Sequence, residues 1–548
     1  MIDNTYNRYK RYTEKKNRDV RWAEPEEIKN ETMRIDLTAD ACPTSGLPII
    51  CDTKTAWVDG SDNHTLIFGS TGSKKTRLFV MPAIGTIIKS GESFIASDPK
   101  GELYEKTSPL AYANGYDVKV LNFREIGKGE CWNPLNYPYH LIKNGDINKA
   151  CSLISDFFNT IVERQANSKS MDPFWTDSAR ALGLGLALLL LDTATEKEAN
   201  VFTLAKMCKF ENERAINEFL KRMDTSSACF ANLSGVMSSA SNTIRSIMVT
   251  LFSNLSYFLM QKDLSAMLSQ STFNVKDFGD RKTAFYLIVP DEKTTTHFLV
   301  TAFMKQAYEL LIDKAQENGA ESKLKIRVNF VLDEFCNIPK IPDMPNMISA
   351  ARSRNIRYFL IAQSLHQLQS RYGADDSHTI KGNCLNWVFL SSKEIELLEE
   401  ICTLCGRNTS DNVPLISTTE LQRLSKIRGE ALILHDRCHP YLTTLPDFDD
   451  YKAFKGFPKI EVESRGIPEL ESFELTDLLM ECLNGYRPFP FCADKDDGFR
   501  KISDDDKKLI EAVTFAALNG TIATDSTLRR SLSKYGYEIK DSDSDFDF

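Results

Sequence analysis

The sequence lacks a long hydrophobic run. Its longest uninterrupted apolar stretch, ALGLGLALLLL over residues 181–191, has 11 residues, whereas a helix needs about 20 to cross a bilayer. Residues 1–22 are polar and basic, without the apolar core of a signal peptide. We therefore expect a chain without a secretion signal or transmembrane helices, and a buried helix at 181–191.

Regular cysteine spacing and a basic charge balance are also absent. The 13 cysteines are scattered, which is typical of reduced thiols rather than a disulfide framework. The net charge is −9, so a nucleic-acid surface must be a local basic patch. Cys402 and Cys405, with Cys438 and His439 later, have the residue types of a zinc site. The first two fall among leucine and isoleucine on a helix, where buried thiols are the simpler interpretation.

Strand-like apolar runs alternate with helical periodicity in two stretches of the chain. The predicted strands are 64–68, 94–98, 118–122, 284–290, 328–332, 357–362, 387–390 and 431–434. Such alternation predicts an α/β fold with a mostly parallel sheet. Between the third and fourth strands only helical periodicity is found, which predicts an inserted all-α domain. The predicted domains are a basic segment and lead-in (1–60), the α/β domain (61–145 and 265–446), the insertion (146–264) and a C-terminal extension (447–548).

A glycine-rich turn follows the first predicted strand and opens a helix. It reads G-S-T-G-S-K-K-T, and its residues are Gly69, Ser70, Thr71, Gly72, Ser73, Lys74, Lys75 and Thr76. This context is that of a P-loop, whose backbone N–H groups and helix N-terminus hold the phosphates of ATP. Lys75 would reach the β- and γ-phosphates, and the Thr76 hydroxyl would hold Mg²⁺.

Lys74 occupies the position where the P-loop pattern has glycine. Glycine there lets the backbone take a positive φ, and another residue in that conformation costs about 1–2 kcal/mol. The lysine could offset part of this cost by adding positive charge beside the nucleotide. A nucleotide-binding loop and a glycine-serine turn that has lost the function both remain open, as does weakened hydrolysis.

Two acids end the predicted strand V-N-F-V-L at 328–332. Ligands of open α/β sheets bind at the carboxyl ends of strands, where Asp333 would hold Mg²⁺ and Glu334 would polarise the attacking water. Gln363 ends the next predicted strand and is placed to contact the γ-phosphate. Solvated acids and a polar strand terminus are the plainer alternatives.

Arg352 and Arg354 lie at the end of a predicted helix that starts near Asp343. Cations are favourable at a helix C-terminus in any protein. The functional alternative is an arginine finger that reaches the nucleotide of a neighbouring subunit in a ring, with Arg354 ahead of Arg352.

Taken in order, these motifs resemble those of the type IV coupling proteins, the TraG/TraD type in the FtsK/HerA branch of P-loop ATPases. The resemblance covers residues 21–451. Besides the P-loop and the acid pair, it rests on SDPKGEL (97–103), WNPL (132–135), DPFW (172–175), the run 361–383 and TEL (419–421). It implies a RecA-like nucleotide-binding domain with an inserted all-α domain that helps to recognise the substrate.

The resemblance also implies the cofactors and partners. Proteins of this type form hexameric rings, bind ATP and Mg²⁺ between subunits, and recruit a relaxase with its single-stranded DNA to the ATPase or inner-membrane components of a type IV secretion channel. Relatives generally begin with two transmembrane helices, and residues 8–21 look like the basic stretch that would follow them. We expect a cytoplasmic protein at the inner face of the membrane. It either uses a separate membrane-anchor protein or has a sequence that starts after its own anchor.

Three functions fit these features. The first is an ATP-driven coupling motor for conjugative DNA transfer. The second, favoured by Lys74, is a docking receptor that hydrolyses little ATP, and the third is a chromosome-processing pump that acts on duplex DNA. The acidic tail DSDSDFDF (541–548) is either a disordered end or a partner-binding peptide.

Overall fold

The structure, a computed structural model, describes residues 20–162, 173–290, 292, 294–408 and 412–492. The chain divides into a sheet unit (20–134, 159–162 and 261–470) and a helical unit (135–158, 173–260 and 471–492). Most of the basic stretch 8–21, Asp172 of the DPFW motif, a further predicted helix near 503–520 and the acidic tail lie outside the described residues.

The lead-in before the P-loop, for which the sequence predicted no helix or strand, contains a helix and a small sheet. It contains α1 (Pro25–Glu31) and an antiparallel sheet of β1 (Met33–Asp36), β2 (Leu47–Cys51) and β3 (Thr55–Asp59), in the order β1-β3-β2. Every residue of β2 is buried, so the strand shows no alternation of polar and apolar residues. Sequence periodicity gives little signal for such a short strand.

The main sheet has nine strands in the order β12-β11-β10-β4-β9-β8-β5-β7-β6. They are β4 (Thr65–Phe68), β5 (Ser93–Asp98), β6 (Asp117–Asn122), β7 (Thr283–Ile288), β8 (Val328–Leu332), β9 (Ile356–Ala362), β10 (Asn386–Phe389), β11 (Glu430–His435) and β12 (Tyr441–Thr444). The strands from β10 to β6 in this order are parallel, and β11 and β12 add an antiparallel edge. All eight predicted strands are present, and the predicted fold class is confirmed; β12 was missed.

Helices connect the parallel strands of this unit. They are α2 (Met81–Ser90), α3 (Glu102–Ala113), α11 (Lys262–Met267), α12 (His297–Glu317), α13 (Met344–Ala351), α14 (Leu365–Tyr372), α15 (Ala374–Asn383), α16 (Ile395–Leu404) and α17 (Thr418–Leu421). The central strands are Val-, Ile- and Phe-rich and fully buried, as in β8 and β9, because helices cover both faces of a parallel sheet. Cys402 and Cys405 are buried at the end of α16.

The helical unit contains the long apolar run. Its helices are α4 (Asn136–Lys143), α5 (Ile147–Val162, up to residue 158), α6 (Pro173–Thr193), α7 (Val201–Met207), α8 (Glu213–Leu220), α9 (Ala228–Met237), α10 (Ser241–Met260) and α18 (Leu475–Leu483). At 21 residues, α6 is longer than the 11-residue run and, by length and composition, is long and apolar enough to cross a membrane. Its leucines, apart from the partly exposed Leu184, are nevertheless buried. Gly183 and Gly185 leave room for Phe158 and Leu233, which lie less than 3 Å from where a Cβ would be.

The predicted domain bounds differ from the observed units at both ends of the insertion and in the C-terminal segment. Residues 135–145 belong to the helical unit, not the sheet unit. Residues 447–470 complete the sheet unit, because Tyr451 and Phe454 are buried in its core. Residues 471–492 join the helical unit, where Arg487 forms a bidentate ion pair with Glu198 at 2.9 Å. Tyr451 and Phe454 are isolated aromatic residues in a polar sequence, so composition did not predict that this segment packs on the core.

A buried arginine ties the amino ends of the central strands to the lead-in. Arg357 in β9 is 1% exposed. Its guanidinium donates to Asn329 Oδ1 (2.8 Å), Glu92 Oε2 (3.0 Å), the Ser45 hydroxyl (2.6 Å), and the Ser45 and Ser61 carbonyl oxygens (3.2 and 3.1 Å). Burial lowers the pKa of Arg357 to about 10, so the side chain remains a cation at neutral pH.

His64 is fully buried between β4 and α13. Its Nε2 lies 2.8 Å from the Ile348 carbonyl oxygen, and its Nδ1 lies 3.0 Å from the Tyr358 backbone N–H. Nδ1 accepts from that N–H, so the ring is neutral, with its proton on Nε2. Burial lowers the pKa of His64 to about 4, because a protonated ring would be desolvated and would face a donor.

We expect the free energy of unfolding to fall as the pH falls from about 6.5 towards 4. The unfolded chain binds a proton at the ordinary histidine pKa, whereas folded His64 does not until about pH 4, so acid favours unfolding. At about 1.4 kcal/mol per pKa unit, the loss reaches a few kcal/mol. Denaturant titrations across this range should show a shallower pH dependence in His64→Gln. The exposed His366→Gln should keep the wild-type slope; equal slopes in all three proteins would contradict the assignment.

Candidate functional site

Three predicted groups of residues meet at one edge of the main sheet. The glycine-rich turn follows β4, Gln363 follows β9, and the acid pair follows β8. These strands are adjacent and parallel in the order β4-β9-β8, so their carboxyl ends lie side by side. Ligands of open α/β sheets bind at this edge.

The glycine-rich turn has the backbone shape of a phosphate-binding loop. Gly72 and Lys74 have φ of 77° and 68°, so Lys74 takes the left-handed conformation predicted for the missing glycine. The loop is fixed at its start by Gly69 N–H donating to the Ala362 carbonyl (3.2 Å) and Ser70 N–H to the Ser391 carbonyl (2.8 Å). It leads into a π-helical stretch, Thr76–Val80, that continues as α2.

Ser73 is the unsatisfied polar group of this loop. The residue is 2% exposed, and its hydroxyl has no hydrogen-bond partner within the described residues. An unpaired buried hydroxyl costs about 1–3 kcal/mol. A bound phosphate oxygen would supply the missing partner, so the loop fits an anionic ligand.

Lys75 is folded back into the loop. Its Nζ donates to the Gly69 carbonyl oxygen at 2.6 Å, and the residue is 5% exposed. Burial lowers its pKa, and the exposed Lys100 ammonium adds to this effect, while the carboxylates of Glu334 and Asp333 oppose it. The lysine is therefore a desolvated cation whose partners in the loop are uncharged carbonyls that a phosphate can replace.

Thr76 and Asp333 form the predicted pair for a divalent cation. The Thr76 hydroxyl donates to Asp333 Oδ2 at 3.0 Å. Burial, with the neighbouring Glu334 charge, raises the pKa of Asp333 to about 6. A hydroxyl and a carboxylate oxygen in contact are the hard ligands that Mg²⁺ takes beside a phosphate, so these residues fit the cation.

Glu334 is held by two amides. Gln363 Nε2 donates to Glu334 Oε2 at 2.6 Å, and Asn337 Nδ2 donates to the same oxygen at 3.3 Å. Gln363 Oε1 in turn accepts from the Thr71 hydroxyl of the loop at 3.2 Å. Glu334 has a φ of 54°, a strained conformation that costs on the order of 1–3 kcal/mol and is common at functional sites. A hydrogen-bonded chain thus joins the loop to this carboxylate.

The two predicted arginines do not reach this edge in a single chain. They form a 3₁₀ turn, Arg352–Arg354, between α13 and the start of β9, at the amino end of a strand whose carboxyl end carries Gln363. Arg352 pairs with Asp62 at 3.2 Å. Any contact of Arg354 with a nucleotide would therefore need a second chain.

Sequence reasoning missed three groups at the site. Asn337 lies in a turn after the acid pair, and Asp447 bonds Lys74 from far along the chain. The third is the SDPKGEL motif, whose first two residues end β5: Ser97 donates to the Asp333 carbonyl at 2.8 Å, and burial raises the pKa of Asp98 to about 6. The motif begins at the end of a predicted strand, which was the available signal for this third group.

Residues 24–427 match the family model described as type IV secretory system conjugative DNA transfer. The chain belongs to this conjugative DNA transfer family. The conjugal transfer protein TraG of Escherichia coli is 26% identical over 435 residues, which is 71% of this chain and 64% of the relative. Protein VirD4 of Rhizobium radiobacter is 24% identical over 359 residues, covering 64% of this chain and 49% of the relative. The chain thus spans less than two thirds of the length of either relative.

Solved structures agree on the fold of this family member. The plasmid coupling protein TrwB in complex with the ATP analogue ADPNP superposes with a TM-score of 0.58 at 15% identity, over 81% of this chain and 96% of that one. TrwB in complex with ADP and Mg²⁺ gives a TM-score of 0.52 at 14% identity, over 82% and 97%. At this identity the likeness establishes the fold alone.

Proposed function

We propose that this member of the conjugative DNA transfer family is an ATP-driven coupling protein. It recruits relaxase-bound single-stranded DNA, and proteins, to a type IV secretion channel. The observation that carries the proposal is the chain of contacts from Thr71 through Gln363 to Glu334, beside the Thr76–Asp333 pair. A phosphate loop joined in this way to a strand-end carboxylate has the parts that hydrolyse ATP.

Each residue at the edge has a proposed role. The loop residues 69–76 hold the phosphates, and Lys75 exchanges its carbonyl partner for a phosphate oxygen. Mg²⁺, held by Thr76 and Asp333, would neutralise phosphate charge. Glu334 orients and polarises the attacking water, and Gln363 connects it to the loop. We infer that the protein acts in the cytoplasm at the inner face of the membrane, with the secretion channel's ATPase or inner-membrane components as partners.

A docking receptor with little hydrolysis is the second candidate, favoured by Lys74 in the loop. Single-stranded-DNA-stimulated ATP hydrolysis by the purified protein separates the two candidates. Saturable ATP binding with DNA-stimulated turnover supports the coupling motor, and binding without turnover supports the receptor. Stimulation by duplex DNA alone would indicate a chromosome-processing pump, and absence of ATP binding would exclude all nucleotide-dependent proposals.

We expect Arg354 to act on the nucleotide of a neighbouring chain in a hexameric ring. Arg354→Ala and Glu334→Gln should each lower ATP turnover about 100-fold or more. Mixing the two inactive proteins should restore part of the turnover, because some sites then combine an intact Glu334 with an intact Arg354. Arg352→Ala, which removes the other predicted arginine, is measured in the same way and compared with Arg354→Ala. No recovery on mixing, with assembly shown by light scattering, would contradict action between chains.

A further inference from the structure

We propose that Asp447 is a positioning residue for the phosphate loop, whose carboxylate holds Lys74 and Arg77 so that the loop keeps its phosphate-receiving shape. The inference rests on the nucleotide-binding function proposed above. Asp447 belongs neither to the P-loop pattern nor to the acid pair, and it is not near Gln363 in the sequence. Asp447 lies beyond β12, 373 positions along the chain from Lys74.

One carboxylate receives both cations of the loop region. Lys74 Nζ donates to Asp447 Oδ2 at 2.9 Å, and Arg77 Nε donates to Oδ1 and Oδ2 at 2.9 and 3.2 Å. Arg77 also bonds Asp449 through its terminal nitrogen. Burial would raise the pKa of Asp447, but the bonds from Arg77 and Lys74 outweigh it and hold that pKa well below its usual range. The acid is therefore charged at any working pH.

The carboxylate is carried by a turn that is fixed against the P-loop helix. Asp447 caps the turn Phe448–Asp450, where its Oδ1 accepts from the Asp449 N–H at 3.2 Å. The flanking Phe448 and Phe454 are each 2% exposed, and Phe454 packs on Gly85 of α2, where no Cβ would fit. The turn and the helix therefore form one packed body, and the acid is a fixed point beside a glycine-rich loop.

This fixed acid explains how the loop tolerates lysine at a glycine position. A lysine at φ 68° is strained, and without a partner it would favour other backbone shapes. The ion pair with Asp447 holds it in the shape that phosphate needs. Nucleotide binding should therefore depend on Asp447 because residue 74 is lysine. Replacing Lys74 by glycine should remove most of that dependence.

A double-mutant cycle on the full chain tests this coupling. The probe is a fluorescent non-hydrolysable ATP analogue with Mg²⁺, titrated against wild type, Asp447→Asn, Lys74→Gly and the double variant. We expect Asp447→Asn to weaken binding about 10-fold relative to wild type. The double variant should bind like Lys74→Gly. Asp450→Asn is the matched control, because that acid accepts from the Asp447 N–H in the same turn rather than from the loop cations.

Amide hydrogen exchange of residues 69–77 in the nucleotide-free protein gives a second readout. Exchange should quicken in Asp447→Asn and slow again in the double variant. If wild type binds the analogue and Asp447→Asn binds it equally well, the positioning role of Asp447 is wrong. The same holds if Asp447→Asn still weakens binding 10-fold in the Lys74→Gly background. Neither result contradicts the nucleotide-binding proposal. Absence of binding by wild type overturns the nucleotide-binding proposal and the positioning role with it, a result distinct from the other two.

Discussion

Glu334→Gln is expected to lower DNA-stimulated ATP turnover by roughly 100- to 1,000-fold, the range for removing one preorganised electrostatic group from an active site. Glutamine keeps the size of the side chain and its hydrogen bonds to Gln363 and Asn337, but it is far less able to polarise water. ATP affinity should be kept or increased, because removing one negative charge beside Lys75 favours phosphate. Turnover and Kd, measured on the same preparation, check both parts.

The matched control is Glu399→Gln, an exposed acid on α16 far along the chain from the acid pair. It should retain wild-type turnover, which would exclude a general effect of losing one carboxylate. Turnover of Glu334→Gln within a few-fold of wild type would show that another group orients the water. Low turnover by wild type itself, with tight ATP binding, would instead favour the docking receptor.

Periodicity predicted the strands of the main sheet because each central strand is a run of buried apolar residues. The P-loop pattern, the acid pair and Gln363 could be placed at strand ends from the sequence, because each directly follows such a strand. Parallel strands then bring these residues to one edge without further information. The positive φ of Lys74 was also predictable, since it follows from the glycine that the pattern requires.

Other features depend on contacts between distant positions. Asp447 is one of many acids in the sequence, and nothing nearby marks it as the partner of Lys74. Tyr451 and Phe454 are single aromatic residues in a polar segment, so the packing of this segment on the core could not be predicted. Strand β2 of the lead-in has no alternation of polar and apolar residues because all of its residues are buried. In each case the deciding information is three-dimensional packing, which periodicity does not contain.

The second large effect is expected at the amino ends of the strands. Arg357→Met should lower the free energy of unfolding of the sheet unit by about 3–5 kcal/mol, the usual result of removing one partner from a buried ion pair. Methionine fills much of the volume, but Glu92, whose side chain is 14% exposed, keeps its charge with Arg327 as its remaining cation, at 3.4 Å. Ser45 and Ser61 also lose the donor that ties the lead-in to β9.

Thermal or denaturant unfolding measures this change, with the exposed Arg437→Met as the surface control. The double variant Arg357→Met with Glu92→Gln should recover part of the loss, because the buried charge is then removed together with its partner. Arg357 lies at the amino end of β9, whereas Gln363 and the acid pair follow the carboxyl ends of β9 and β8. The variant should therefore lower ATP turnover only in proportion to the fraction of protein that is unfolded. If Arg357→Met unfolds like wild type, the buried guanidinium is dispensable, and the lead-in must be held by apolar packing alone.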